Sequence, residues 1–192
     1  MSDTWFTSDD HFGHANIIRY CGRPYSTVEA MDEALIANWN ERVKPGDSVY
    51  HVGDFALVRS PQEVMNYVRR LNGQIHLIHG NHDRFVKQKR PDNYGFAEIV
   101  SYKEIKVGEQ RIILCHYAFK TWNGSHRGSW NLHGHSHGSL PRDLTLKQLD
   151  VGVDCWNYRP ISFEEVAREM EKHKFVPVDH HGAKDDGAKE DE

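Results

Sequence analysis

A mixed α/β fold is predicted by two features of the residue order: short β-rich runs alternate with segments of helical periodicity, and one pair of runs is joined as a hairpin. TWFTS (Thr4 to Ser8), SVYHV (Ser48 to Val52), QIHLIH (Gln74 to His79), RIILC (Arg111 to Cys115) and DVGVD (Asp150 to Asp154) read as mostly buried strands. Between the first two, Ser26 and Glu29 have capping-box spacing, and Val28, Met31, Leu35 and Trp39 recur at helical intervals. The second helix opens on Ser60 and Glu63 with Pro61 in its first position, presents Val64, Val68 and Leu71 on one side, and stops at Asn72-Gly73. Ser162 and Glu165 open a third, carrying Val166 and Met170. EIKVGEQRIIL folds as two short strands about Gly108-Glu109, so part of the sheet is antiparallel.

A chain of 192 residues suits one well-buried domain, expected over residues 1–178. The remainder, 179–192, holds six acids and two lysines, and its polar, Gly/Ala-bearing composition reads as a disordered tail. With 24 basic and 28 acidic residues the formal charge is -4, which the tail alone accounts for, so the body is neutral. A neutral body disfavours nucleic acid as a partner, because a broad phosphate-gripping face needs net positive charge. Cys21, Cys115 and Cys155 lie far apart without CxxC spacing, as reduced thiols do. No stretch approaches the roughly 18 apolar residues of a membrane span. The expectation is a cytoplasmic protein with no membrane partner.

The polar residues that follow the strands carry the functional signal. Gly80-Asn81-His82-Asp83 is by itself an ordinary turn. It is not alone: TWFTS runs into Asp9-Asp10-His11, SVYHV into Gly53-Asp54, RIILC into His116, and SWNLH into Gly134-His135-Ser136-His137. In an open α/β sheet the carboxyl ends of parallel strands share an edge where ligands bind. The set offers two carboxylates, one amide oxygen and four imidazoles, a mixture that suits Mn²⁺, Fe or Zn²⁺ better than Ca²⁺. Seven donors are too many for one ion with an open position but suffice for two that share a carboxylate. In Asp9-x-His11 and His135-x-His137 an extended backbone would turn both side chains the same way. Gly53, Gly80 and Gly134 would let the backbone approach the ions.

The ordered set D-x-H (Asp9, His11), G-D (Gly53, Asp54), G-N-H-D (Gly80 to Asp83), H (His116) and G-H-x-H (Gly134 to His137) resembles the calcineurin-like metallophosphoesterase superfamily. The opening SDDHFGHANIIRYC and the later VGVDCWNYRPIS resemble a compact phage and bacterial branch of it. The resemblance implies a four-layer α/β/β/α sandwich with mixed sheets and a dinuclear metal site at the strand carboxyl ends. It assigns Asp9, His11, Asp54 and His137 to one ion and Asp54, Asn81, His116 and His135 to the other, with Asp54 bridging. His82 is then the histidine that protonates the leaving oxygen or binds the phosphoryl group, and Asp83 orients it through a hydrogen bond.

The implied activity is hydrolysis of a phosphomonoester or phosphodiester, such as a small phosphoester or nucleotide, by in-line attack of a metal-bridging hydroxide. Two divalent ions are the implied cofactor, Mn²⁺ first, with Fe, Zn, Ni, Co or Mg as alternatives. A nuclease and a non-catalytic metal-binding scaffold are the competing readings. Around the motifs, His14 either touches substrate or a nearby carboxylate, or caps the helix that starts at ANII; Arg84 reaches a phosphate or a surface acid. Arg19, Arg23, Lys120 and Arg127 lie in segments that wall the cleft, any of them able to meet a phosphate. His51, His76 and His79 lie within strands and read as structural, and Trp122, Trp130 and Trp156 as packing residues.

Overall fold

The computed structural model of the chain describes residues 2–58, 60–86 and 94–176; the acidic segment 179–192 lies outside them. In chain order the elements are β1 (Thr4–Thr7), α1 (Ala15–Tyr20), α2 (Val28–Arg42), β2 (Ser48–His51), α3 (Pro61–Val68), β3 (Gln74–Ile78), β4 (Glu98–Val100), β5 (Lys103–Val107), β6 (Gln110–Leu114), β7 (Trp130–His133), β8 (Gln148–Asp150), β9 (Ile161–Ser162) and α4 (Phe163–Glu171).

Two of the three helix starts are as expected. Ser60 Oγ accepts the Glu63 N–H at 3.3 Å with Pro61 opening α3. Ser162 and Glu165 close a reciprocal box at α4, with bonds of 3.2 and 2.8 Å. At α2 the cap is Thr27, not Ser26: Thr27 is extended (φ -140°) and its Oγ1 accepts the Ala30 N–H at 3.1 Å. Glu29 therefore stands one place too early to complete the box. The strand expected over 150–154 is also displaced. Asp150 ends β8 by accepting the N–H groups of Gly152 at 2.8 Å and Gly138 at 3.1 Å, and a 3-10 turn over Val153–Cys155 follows.

The first sheet has the order β4-β3-β2-β1-β9, with β1 to β4 parallel and β9 antiparallel to β1. The second has the order β5-β6-β7-β8, with the β5–β6 hairpin antiparallel and β6, β7 and β8 parallel. Successive steps from β1 to β2 to β3 move in one direction, so right-handed crossovers place α1, α2 and α3 on one face. Trp5, Val49, Ile75 and Leu77 meet Met31, Leu35, Trp39, Val64 and Val68 in the helix-side core. Phe6, Ile78, Ile112, Leu114 and Leu132 fill the space between the sheets, joined by Val166 and Met170 of α4. Trp5 and Phe6 are adjacent yet lie in different cores, as the two-residue period of a doubly covered strand requires. The mixed two-sheet α/β architecture is that expected from the sequence. The loop 117–129 is tied to the second sheet where buried Asn131 accepts the Phe119 N–H at 3.2 Å, and Trp122 Nε1 closes the loop on itself by donating to the Ser129 carbonyl at 3.1 Å.

One contact ties the helices to the first strand-end loop. The carboxylate of Asp32 on α2 accepts the Gly13 N–H at 3.2 Å and the Tyr67 hydroxyl of α3 at 2.7 Å. Burial pushes this carboxyl up to about 6. Its native value thus lies above its unfolded one, so its stabilising contribution is complete below both and is lost as pH rises through the native value. The Asp32→Asn variant is therefore expected to gain on the parent in stability as pH rises from about 4 to about 7. Urea midpoints of the metal-free proteins measure this, and a difference that stays constant with pH would overturn it.

Candidate dinuclear metal centre

The loops after β1, β2, β3, β6 and β7 converge at the carboxyl ends of the two sheets. The first two are zipped together: the N–H groups of Asp9, His11 and Phe12 donate to the carbonyls of Gly53, Asp54 and Phe55 at 2.9, 3.0 and 2.9 Å. Among the described residues seven non-glycines have positive φ, and five of them are Asp9, His11, Asp54, His135 and His137, at 47 to 69°. Left-handed backbone at such residues costs on the order of 1 kcal/mol or more each, and its concentration here points to a functional constraint. It also corrects the extended geometry expected of the D-x-H and H-x-H pairs, since both members of each pair are left-handed.

The seven residues fall into two adjoining groups. Ligand atoms of Asp9, His11 and His137 lie within 4.8 Å of one another, and so do those of Asp54, His116 and His135. His135 and His137 thus face different groups rather than one side. Asp54 Oδ2 stands between them, 3.6 Å from His11 Nε2 and 3.4 Å from His116 Nε2. Asn81 Oδ1 lies 3.2 Å from His116 Nε2, on the second group. Close backbone approach is needed at all three motif glycines: a Cβ on Gly53 would come within 2.5 Å of His116 Nδ1, one on Gly80 within 2.3 Å of Asp54 Oδ1, and one on Gly134 within 2.5 Å of Asp9 Oδ2.

The electrostatics are those of a site built around positive charge. Burial pushes the Asp9 carboxyl up to about 7 and the His11 imidazole down to about 2. Burial acts to raise Asp54 as well, but His116, the His82 N–H and His11 hold it well below the usual carboxylate range. His116 is raised to about 9, the charge and hydrogen bond of Asp54 outweighing burial. His11 Nε2 is buried and has no hydrogen-bond partner, an arrangement that costs free energy in an apoprotein. That orphaned nitrogen, facing a carboxylate amid mixed O and N donors, fits a bound divalent cation.

His82 is half-buried; its N–H donates to Asp54 Oδ1 at 2.8 Å, and its ring lies 5.2 Å from that of His11. Asp83 corrects the expectation that it orients the His82 ring and takes a catalytic part. Its buried carboxylate accepts the N–H groups of Gly80, Asp54 and Phe55, each at 2.8 Å, so it folds the Asp54 loop against the GNHD turn. Arg23 is also corrected: it is buried, forks onto Asp154 at 2.8 Å through both Nε and Nη2, and donates to the carbonyls of Asp9 and Asp10. It braces the first loop from beneath and has no reach left for a phosphate. Arg84 is exposed. His14 makes no side-chain cap on α1; its Nδ1 instead lies 3.3 Å from His11 Nδ1.

Sequence reasoning missed Asp154 and the buried Asp10–His51 pair. Asp154 accepts from His137 Nδ1 at 2.7 Å, the carboxylate–histidine arrangement that orients a metal-binding ring. Its signal was present, because VGVDC is another β-rich run ending in an acid. Asp10 Oδ2 is 2.8 Å from His51 Nε2, while His51 Nδ1 accepts the Gly53 N–H at 3.2 Å, so the dyad sets the turn before Asp54.

Fold and site together define an α/β protein with two adjoining His/Asp groups of metal-binding geometry at its strand ends. Residues 7–146 match the model of the calcineurin-like phosphoesterase superfamily domain, and the chain belongs to that superfamily. It is 34% identical over 182 residues to the uncharacterized protein MJ1445 of Methanocaldococcus jannaschii, covering 92% of this chain and 96% of that one. It is 26% identical over 194 residues to the Gene 66 protein of Mycobacterium phage L5, covering 86% and 93%. Among solved structures, the protein of unknown function AQ665 from Aquifex aeolicus superposes with a TM-score of 0.70 at 26% identity, over 88% of this chain and all of that one.

Two substitutions separate the supporting acids. Asp83→Ala leaves three N–H groups, those of Asp54 and Phe55 buried and that of Gly80 half-buried, without their acceptor and is expected to cost at least about 2 kcal/mol in denaturant unfolding of metal-free protein; an unchanged midpoint would refute the role given to Asp83. Asp154→Asn is expected to weaken Mn²⁺ binding by about 10- to 100-fold, measured by competition with a chelator. Parent-like affinity would show that His137 needs no such partner.

Proposed function

We propose that the chain is a metal-dependent phosphoesterase hydrolysing a small phosphomonoester or phosphodiester, with nucleotides within its range. The observation that carries this reading is the place of Asp54, one carboxylate set between two His/Asp groups with the His82 turn bonded to its other oxygen. Asp9, His11, Asp54 and His137 would hold one divalent cation, and Asp54, Asn81, His116 and His135 the other. Mn²⁺ suits this mixture of oxygen and imidazole donors, as do Fe, Zn, Ni, Co and Mg in lesser measure. When bound, such a pair supplies Lewis acidity toward phosphoryl oxygens and lowers the pKa of a water.

The chain's own groups do the rest. Asp54 accepts the His82 N–H and so holds the GNHD turn against the site. We assign to the His82 imidazole the proton given to the leaving oxygen, or the bond to the phosphoryl group. Asp9, His11, Asp54 and His116 are buried and held in mutual contact, which limits their reorganisation during the reaction. A formally neutral body, the -4 being accounted for by residues 179–192, disfavours a broad cationic face for a duplex, and a small substrate is the reading we adopt.

The test is release of p-nitrophenol from p-nitrophenyl phosphate and from bis-p-nitrophenyl phosphate by metal-stripped protein re-supplied with Mn²⁺. Release is expected to require the metal; Asp54→Asn should lose both metal and nearly all rate, whereas His82→Ala should keep metal and lose about 10²- to 10⁴-fold in rate. Protein shown to hold two metals that releases nothing from either ester would favour the scaffold reading. Parent-like turnover by His82→Ala would remove His82 from the mechanism.

A further inference from the structure

The ring of His14 is buried at the candidate site, yet its residue belongs to neither His/Asp group. Its Nδ1 lies 3.3 Å from His11 Nδ1, and its ring packs against those of His11, His82 and Tyr20, with centroids 5.2, 5.8 and 6.3 Å away. Two facing imidazole nitrogens can bond only if one carries the proton and the other does not. Which is which follows from the other edge of His11 if that edge is to serve a cation. His11 Nε2 is buried, unpartnered and turned toward Asp54, so it is the lone pair available to a cation. The His11 proton must then sit on Nδ1 and donate to His14 Nδ1. His14 in turn must carry its own proton on Nε2, where no partner is found among the described residues.

We propose that His14 locks the metal-binding tautomer of His11 and, through the same proton arrangement, presents its own Nε2–H as a donor to an oxygen of the phosphoryl substrate. The first half makes His14 a positioning residue for the ion at Asp9, His11 and His137. The second half rests on the phosphoesterase reading and adds to it a substrate-binding donor beside His82. A ring that merely filled space at this position would require neither tautomer.

The experiment reads the two halves separately. Imidazole nitrogen NMR on the parent protein loaded with diamagnetic Zn²⁺ is expected to show His11 as the Nδ1–H tautomer and His14 as the Nε2–H tautomer; His14 protonated on Nδ1 would overturn the proposal whatever the protein hydrolyses. His14→Phe, which keeps a ring and removes both nitrogens, is expected to weaken Zn²⁺ binding about tenfold or more. His14→Asn places an amide oxygen near the Nδ1 position and should restore most of that affinity. In the metal-saturated state His14→Asn should still show a raised KM toward p-nitrophenyl phosphate, since the Nε2 donor is gone. Zn²⁺ affinity equal to the parent in His14→Phe would remove the positioning role, and a parent-like KM and kcat in His14→Asn would remove the substrate donor.

Discussion

The carboxylate of Asp54 is the point on which the site depends. Oδ1 accepts the His82 N–H, Oδ2 lies between His11 and His116, the residue's own N–H is held by Asp83, and its carbonyl receives the His11 N–H. Four strand-end loops are thereby referred to one buried anion. Removing a carboxylate from water costs several kcal/mol unless partners replace the lost hydration. Here the replacements come from loops that are remote in sequence, so the anion is satisfied only when all of them are in place.

Such convergence needs rigid supports. The parallel strands β1, β2 and β3 bring three loops to one edge, β6 and β7 bring two more from the second sheet, and the inter-sheet core fixes the distance between the edges. Both cores are apolar and closely filled, and they offset the strain of five left-handed residues at the strand ends. The binding groups are held by backbone geometry that a flexible loop would not maintain.

Beneath the site lies a layer of buried acids, each matched to donors of a different kind. Asp10 meets His51, Asp32 meets Tyr67 and the Gly13 N–H, Asp83 meets three backbone N–H groups, and Asp154 meets Arg23 and His137. None of the four belongs to the two His/Asp groups of the candidate centre, although Asp154 shares a third cluster with His137 and Cys21. They set the turns and rings of those groups, and an unpaired one would be a costly buried charge. His14 stands with them in kind, its partner being the ring of His11.

The sequence by itself determined the α/β class, most strands, two of three helix caps and the identity of the residues gathered at the strand ends. These follow from local rules: two-residue and 3.6-residue periodicity, capping chemistry, and the recurrence of Asp, Asn and His after β-rich runs. What only the tertiary structure decided was the left-handed backbone at five of those residues, the backbone service of Asp83, and the roles of Asp10, Arg23 and Asp154. Asp83 follows His82 directly and reads as its partner, yet folding brings it to the amides of Gly80, Asp54 and Phe55. Arg23 reads as a cleft-wall cation able to meet a phosphate, but Asp154, 131 residues on, pairs with it instead. Local sequence records which groups are available for a hydrogen bond; which donor a buried acceptor meets depends on contacts between distant segments, and those exist only once the sheets have packed.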